Sequence, residues 1–401
     1  MPRVSDSPLP TRNTVPLDVW RIGASGVASV IGFSALIPFG AIRLEALGHS
    51  AAEIGFFSAL PWLAILVVAP FVTVLARLFG GARLYVHGAF VSIPLPLVFA
   101  FSQDYLVWCG ANFVIGLIAA LRWIVSEAWV ADLAPPDRRG RVVGLFETFL
   151  GASFALGPVL LIALDPASDR AAYAGAALWA IGWLFSLGLA PPSQPPGDGR
   201  LRERGLFSVV AALPALLVGA ATGGMFEVGL AGIGSYWSLT LGLSAAAAAA
   251  FAAALGAGSF IAQYPAGWLA DHARAERVTR VALVLLVAVS LAAPFVAAAE
   301  AGALAVAVAW GGIGGGLYTL AMIGVGHRYS GAALLHATSA VVFAYTLGST
   351  AGPALIGLAL EAAPRHGLPL TLAALCCGAL ALHVFLGPEK GGPPHPPERR
   401  P

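Results

Sequence analysis

The sequence predicts an all-α membrane protein of twelve transmembrane helices, arranged as two related six-helix bundles. Three observations predict it. The 401-residue chain is 58% apolar and only 10% charged, with a mean hydropathy of +0.83. A soluble domain carries roughly 25% charged residues, so most of this outer surface has to face lipid. The apolar residues fall in runs of about 20, the length at which a helix crosses the hydrocarbon core. The second half of the chain also repeats short pieces of the first at a nearly constant offset.

In chain order, residues 1–18 are polar and proline-containing and read as a cytoplasmic tail. The apolar run behind them has no small-residue cleavage site, so it is a retained span, not a signal peptide. The first bundle, 19–190, holds runs at 19–42, 53–76, 84–102, 105–132, 142–164 and 171–190. Residues 191–206 form a basic linker rich in Pro and Gly. The second bundle, 207–387, holds runs at 207–237, 244–270, 278–298, 302–325, 334–360 and 368–387. Residues 388–401, rich in Pro, Gly and charge, read as a disordered cytoplasmic tail. None of the runs alternates as a barrel strand must, so each is read as a helix.

Charge gives the orientation. Of the 22 Lys and Arg residues, 18 lie on the side of both tails and three (Arg43, Arg170, Arg365) on the other. The last, Arg122, lies inside a span. The positive-inside rule then puts both termini in the cytoplasm of a multi-pass protein in a bacterial-type inner membrane.

The repeat supports two halves of equal make-up. LGHSAA at 47–52 returns as LGLSAA at 241–246, Pro70 as Pro265, and Gly157-Pro158 as Gly352-Pro353. Parallel repeats of this kind build transporters from two six-helix units.

The segment PAGWLADHARAER at 265–277 resembles the cytoplasmic loop signature of the major facilitator superfamily. The resemblance extends over nearly the whole chain. It implies that Gly267, Asp271, Arg274 and Arg277 latch a cytoplasmic gate. The equivalent first-half loop, PFVTVLARLFGGAR at 70–83, has Ala76 at the Asp position but keeps Arg77. GASFALGP and GSTAGP, containing Gly157, Pro158, Gly352 and Pro353, resemble a helix-bending Gly/Pro motif of exporters. Asn112 occupies the place where the superfamily often carries an Arg. The resemblance also implies a monomer working by alternating access.

Ionisable side chains inside a span cost several kcal/mol if they face lipid, so each marks a candidate site. Glu227 stands in GAATGGMFEVGLAGIG, a glycine-rich stretch able to bend and expose backbone to a cavity. It reads as a carboxylate that exchanges a proton or binds a cationic solute. Glu127 and Glu147 lie at similar depth on neighbouring spans, and Arg122 lies one to two turns deeper, able to reach either. They read as an anion site or as a structural ion pair. Tyr318 is a cavity candidate. Trp123 is a cavity or belt aromatic, and Tyr236 and Trp237 read as interfacial anchors. His87, His327, His336 and His383 lie near span ends or on apolar faces, as packing residues.

Other classes are argued against. A net charge of +2 is too small to suggest a nucleic-acid partner. Cys109, Cys376 and Cys377 lie in apolar runs, and no Cys/His spacing suits a metal. No phosphate-binding loop is present, so ATP does not drive this chain. No nucleophile–base arrangement suggests an enzyme, and no cofactor is expected. The expectation is a secondary transporter, a proton-coupled exporter of a small, partly apolar compound. The alternatives are an importer of an anionic metabolite centred on Arg122, or a non-transporting sensor or scaffold with the same fold.

Overall fold

The computed structural model describes residues 15–135, 139–189, 213–273, 275–326, 328 and 331–385. The expected linker and C-terminal tail, together with Arg274 and His327, lie outside these residues. So do the side chains of Asp271 and His336.

Twelve helical segments correspond to the twelve expected runs. The first bundle holds α1 (Leu17–Ala46), α2 (Ala51–Val68), α3 (Gly81–Phe101), α4 (Tyr105–Leu133), α5 (Arg139–Ala163) and α6 (Arg170–Ser186). The second holds α7 (Pro214–Thr240), α8 (Ala245–His272), α9 (Ala275–Val296), α10 (Glu300–Gly326), α11 (Gly331–Ala362) and α12 (Gly367–Phe385). Eleven are long and apolar enough to cross a membrane. The remaining one, α6, has 17 residues. No strand occurs among the described residues.

The sequence repeat has a structural meaning. In LGHSAA, Gly48 takes φ +84° just beyond the end of α1, and Ser50 caps α2 by accepting from the Glu53 amide, with Glu53 returning the capping box. In LGLSAA, Gly242 takes φ +82° and Ser244 caps α8 by accepting from the Ala247 amide. The helix crossings repeat too. A Cβ on Gly40 would overlap the Phe57 ring, and one on Gly234 would meet Phe251, 194 residues on in both cases. A Cβ on Gly157 of α5 would overlap α1, and one on Gly352 of α11 would lie 2.5 Å from Met225 of α7. Each Gly-Pro pair therefore seats its helix against the first helix of its own half, and α5 and α11 continue through Pro158 and Pro353.

Two spans of the first bundle are broken where single helices were expected. The second run does not continue as one helix to Ala76. Pro70, which lacks an amide hydrogen, sits in a 3₁₀ turn at Ala69–Phe71, and a separate helix Val72–Phe79 follows up to Gly80. Helix α3 begins earlier than expected, at Gly81, and is interrupted at Ile93–Pro94. Pro265, the repeat partner of Pro70, lies inside an unbroken α8.

Trp237 is not an interfacial anchor. It is fully buried, edge-on to Phe251 with centroids 6.1 Å apart and 5.6 Å from Trp310, and its Nε1 donates to the Arg365 carbonyl at 3.0 Å. This aromatic group is the core of the second bundle's end farther from the termini.

The halves meet along α2 with α11, α5 with α8, and α1 with α7. The backbones come close together between Gly55 at the start of α2 and Gly357 near the end of α11. A Cβ on Gly357 would lie 2.6 Å from the Ala51 carbonyl and 3.0 Å from Gly55 Cα. Nearby, the Ala52 amide donates across the halves to Glu361 at 3.3 Å. This seam lies at the end of the molecule opposite the termini.

Candidate functional site

Helix α7 does not run through the middle of its span as a regular α-helix. At Met225–Gly229 it opens into a single π turn, and Glu227 is at its centre. Such turns leave the i→i−4 ladder locally unmet and often mark functional positions. The glycines before it let neighbours in. A Cβ on Gly224 would overlap the Tyr345 carbonyl of α11, and one on Gly223 would lie 3.0 Å from the Tyr318 amide of α10. Two helices, α10 and α11, therefore close on α7 just before the point where it is widest.

The carboxylate is held by neutral donors. Ser259 Oγ on α8 donates to Oε1 at 2.6 Å, and the Tyr345 hydroxyl donates to Oε2 at 3.1 Å. Gln263, one turn from Ser259, interacts with it as well. The Tyr345 ring stands 4.7 Å from that of Tyr318. Glu227 forms no ion pair among the described residues. Its side chain keeps some accessible surface, unlike Met225 and Phe226 beside it, which are buried.

Glu127 and Glu147 belong to the same electrostatic unit. They act on each other across α4 and α5, and Tyr318 lies within electrostatic range of both and of Glu227. The Trp123 indole donates to Glu127. Trp123 is half-open at 38% exposure, and Glu147 is exposed. The three carboxylates thus run from the middle of the bundle toward the end that carries the termini, with Tyr318 between them.

Arg122 is not part of this group. Instead of reaching toward Glu127 or Glu147, it turns into the first bundle. Its guanidinium donates to Ser29 Oγ at 2.6 Å and Ser25 Oγ at 2.8 Å on α1, and lies 4.8 Å from the centre of the Tyr85 ring on α3. Its Nε is buried without a partner. Asn112 is likewise internal, donating to the Phe57 carbonyl at 2.8 Å and so tying α4 to α2. Of the gate residues, Arg77 and Arg277 are exposed. A Cβ on Gly267 would meet only Ile323, at an ordinary 3.9 Å, so this glycine is not at a tight crossing.

Ser259, Gln263 and Tyr345 were not among the expected site residues. Their signal was present but diluted. Each is a polar side chain in an apolar span, and Tyr345 stands one helical turn before Ser349 on the face that meets α7.

The chain resembles known proteins in sequence and in fold. It is 28% identical over 256 residues to the uncharacterized MFS-type transporter YfkF of Bacillus subtilis (strain 168), a match covering 61% of this chain and 64% of that protein. It is 26% identical over 143 residues to the uncharacterized MFS-type transporter MJ1560 of Methanocaldococcus jannaschii, covering 36% of this chain and 37% of that one. The matches span less than two thirds of either relative. Among solved structures, the nucleoside transporter NupG superposes with a TM-score of 0.77 at 12% identity, covering 93% of this chain and all of that one. A bacterial homolog of the human lysosomal transporter Spinster, inward-facing and occupied, gives 0.74 at 13% identity, covering 93% and 96%. At such identities these two speak for the fold alone. The model of the Major Facilitator Superfamily matches residues 22–353. With the repeated six-helix plan, this makes the chain a multi-pass membrane protein that belongs to the Major Facilitator Superfamily.

Proposed function

We propose that the protein is a secondary transporter that exports a small, partly apolar compound in exchange for protons, with Glu227 as the group that changes protonation. One observation carries this reading. A carboxylate near the middle of the bundle is held by Ser259 and Tyr345 but forms no ion pair among the described residues. An ionised carboxylate in that position needs a cation, and a proton or a positively charged solute supplies one. Exchange of one for the other at the same carboxylate couples the two flows. Glu127 and Glu147 extend the acidic lining toward the terminal end, and Tyr318 and Trp123 give it apolar and aromatic surface.

The seam at Gly55 and Gly357 closes the far end in the present state. With the orientation that the basic residues imply, the site then communicates with the cytoplasm, and opening of that seam would release solute outside. The packing of Arg122 against Ser25, Ser29 and Tyr85 favours no anion site there, because both of its terminal nitrogens already donate to hydroxyls within the first bundle.

The test is flux in proteoliposomes under an imposed pH gradient, with a panel of cationic, neutral and anionic dyes and metabolites. Gradient-driven flux of at least one cationic or neutral compound is expected, and Glu227→Gln should abolish its dependence on the gradient. Coupling that survives this substitution would remove Glu227 from the role. Flux confined to anions would overturn the reading of the substrate.

A further inference from the structure

A second set of polar side chains lies away from Glu227, where the start of α9 meets the end of α12. His383, in the last turn of α12, is 1% exposed, and neither ring nitrogen has a hydrogen-bond partner. Arg280, in the second turn of α9, acts on it electrostatically. Arg280 makes no hydrogen bond or ion pair among the described residues, and its Nε is buried and unpaired. Glu276, the carboxylate that also acts on His383, is already bound to Arg328 at 2.8 Å. Arg277 is exposed on the same turn of α9 as Arg280.

Buried polar groups are satisfied in the great majority of cases. Two adjacent groups with unmet nitrogen atoms, one of them the Arg280 guanidinium, therefore point to an acceptor that comes from outside the chain. The surface around them says what kind. Val281 and Leu285 on α9 are 57% and 47% exposed, and Phe385 on α12 is 87% exposed. Exposed apolar surface of this kind suits lipid, and Arg280 and His383 stand near the helix ends where it stops. Basic pockets between helices in that position suit anionic lipid headgroups.

We propose that the junction of α9 and α12 binds the phosphate of an anionic phospholipid, with Arg280 as the charged donor, the His383 ring as a neutral N–H donor beside it, Arg277 at the rim and the acyl chains along Val281 and Leu285. The site is separate from Glu227, and its test does not depend on transport.

The full chain is purified in neutral detergent, stripped of lipid, and titrated with phosphatidylglycerol, phosphatidylcholine or inorganic phosphate. Bound lipid is counted by native mass spectrometry. A cation near an anionic surface is worth about a fivefold preference, so wild type should retain phosphatidylglycerol about fivefold or more over phosphatidylcholine. Arg280→Gln should bring the two close to parity, and Arg280→Lys should keep most of the preference. His383→Leu gives a second reading should Arg280→Gln fail to fold. Equal retention of both lipids by wild type would overturn the proposal. So would an unchanged preference in Arg280→Gln, or inorganic phosphate displacing phosphatidylglycerol at equal concentration, which would mark a free-anion site.

Discussion

The Tyr345 hydroxyl on α11 donates to Glu227 Oε2 on α7 at 3.1 Å. This bond joins the π turn to the helix whose far end forms the seam with the first bundle. Protonation of Glu227 removes a charge from that junction and leaves the tyrosine with a weaker acceptor. A hydrogen bond to a charged group contributes about 1.5–3 kcal/mol. Tyr345→Phe is therefore expected to slow gradient-driven flux by roughly tenfold or more while leaving the protein folded, as judged by gel filtration. An unchanged rate would mean that the bond has no part in coupling.

Arg122 is a buried cation held by hydroxyls and an aromatic face instead of a carboxylate. The double variant Ser25→Ala/Ser29→Ala leaves its guanidinium unsatisfied, and each lost bond to a charged donor costs about 1.5–3 kcal/mol. A clear fall in the thermal unfolding midpoint is expected. Ser259→Ala, which removes a donor from Glu227 instead, is expected to affect flux more than stability. The reverse ranking would show that the two polar groups have been assigned the wrong way round.

The α2–α11 seam has no room for side chains. Gly357→Leu forces the helices apart, and such overpacking costs about 1–3 kcal/mol. Closure at that end is expected to weaken. Cross-linking of cysteines at positions 52 and 361 by a bifunctional thiol reagent about as long as a glutamate side chain, the span that the Ala52–Glu361 hydrogen bond sets, should fall relative to the same pair with Gly357 intact. Equal cross-linking would mean that the seam tolerates the bulk and does not gate.

Trp237 is fully buried against Phe251 and Trp310. Trp237→Ala is expected to destabilise the second bundle by about 3–5 kcal/mol, read as early thermal unfolding in detergent. A belt residue facing lipid would show little change.

The helix plan could be read along the chain because apolar run length and loop charge are local properties. Even the repeat was visible, since a left-handed glycine followed by a capping serine needs particular residues in a particular order, as at Gly48–Ser50 and Gly242–Ser244. Glu227 was also legible, because a lone carboxylate among glycines in a span is unusual by composition.

What a side chain faces was decided only by the tertiary structure. Arg122 and Glu127 are five residues apart on one helix, yet one turns inward to α1 and α3 and the other toward Tyr318. Helical rotation separates them, and the sequence states the spacing but not which neighbour stands on each side. Trp237 at a span end has the same composition signal whether it anchors in the interface or fills a core. Packing against Phe251 and Trp310, residues brought close by folding, put it in the core. Ser259 and Gln263 reach Glu227 from α8, and Tyr345 from α11, whose backbone Gly224 of α7 lets approach. By itself the sequence determined the number of spans, their repeat and a short list of charged residues within them. The three-dimensional contacts decided which of those charges share a site, because that depends on side-chain direction and distance between helices remote in the chain.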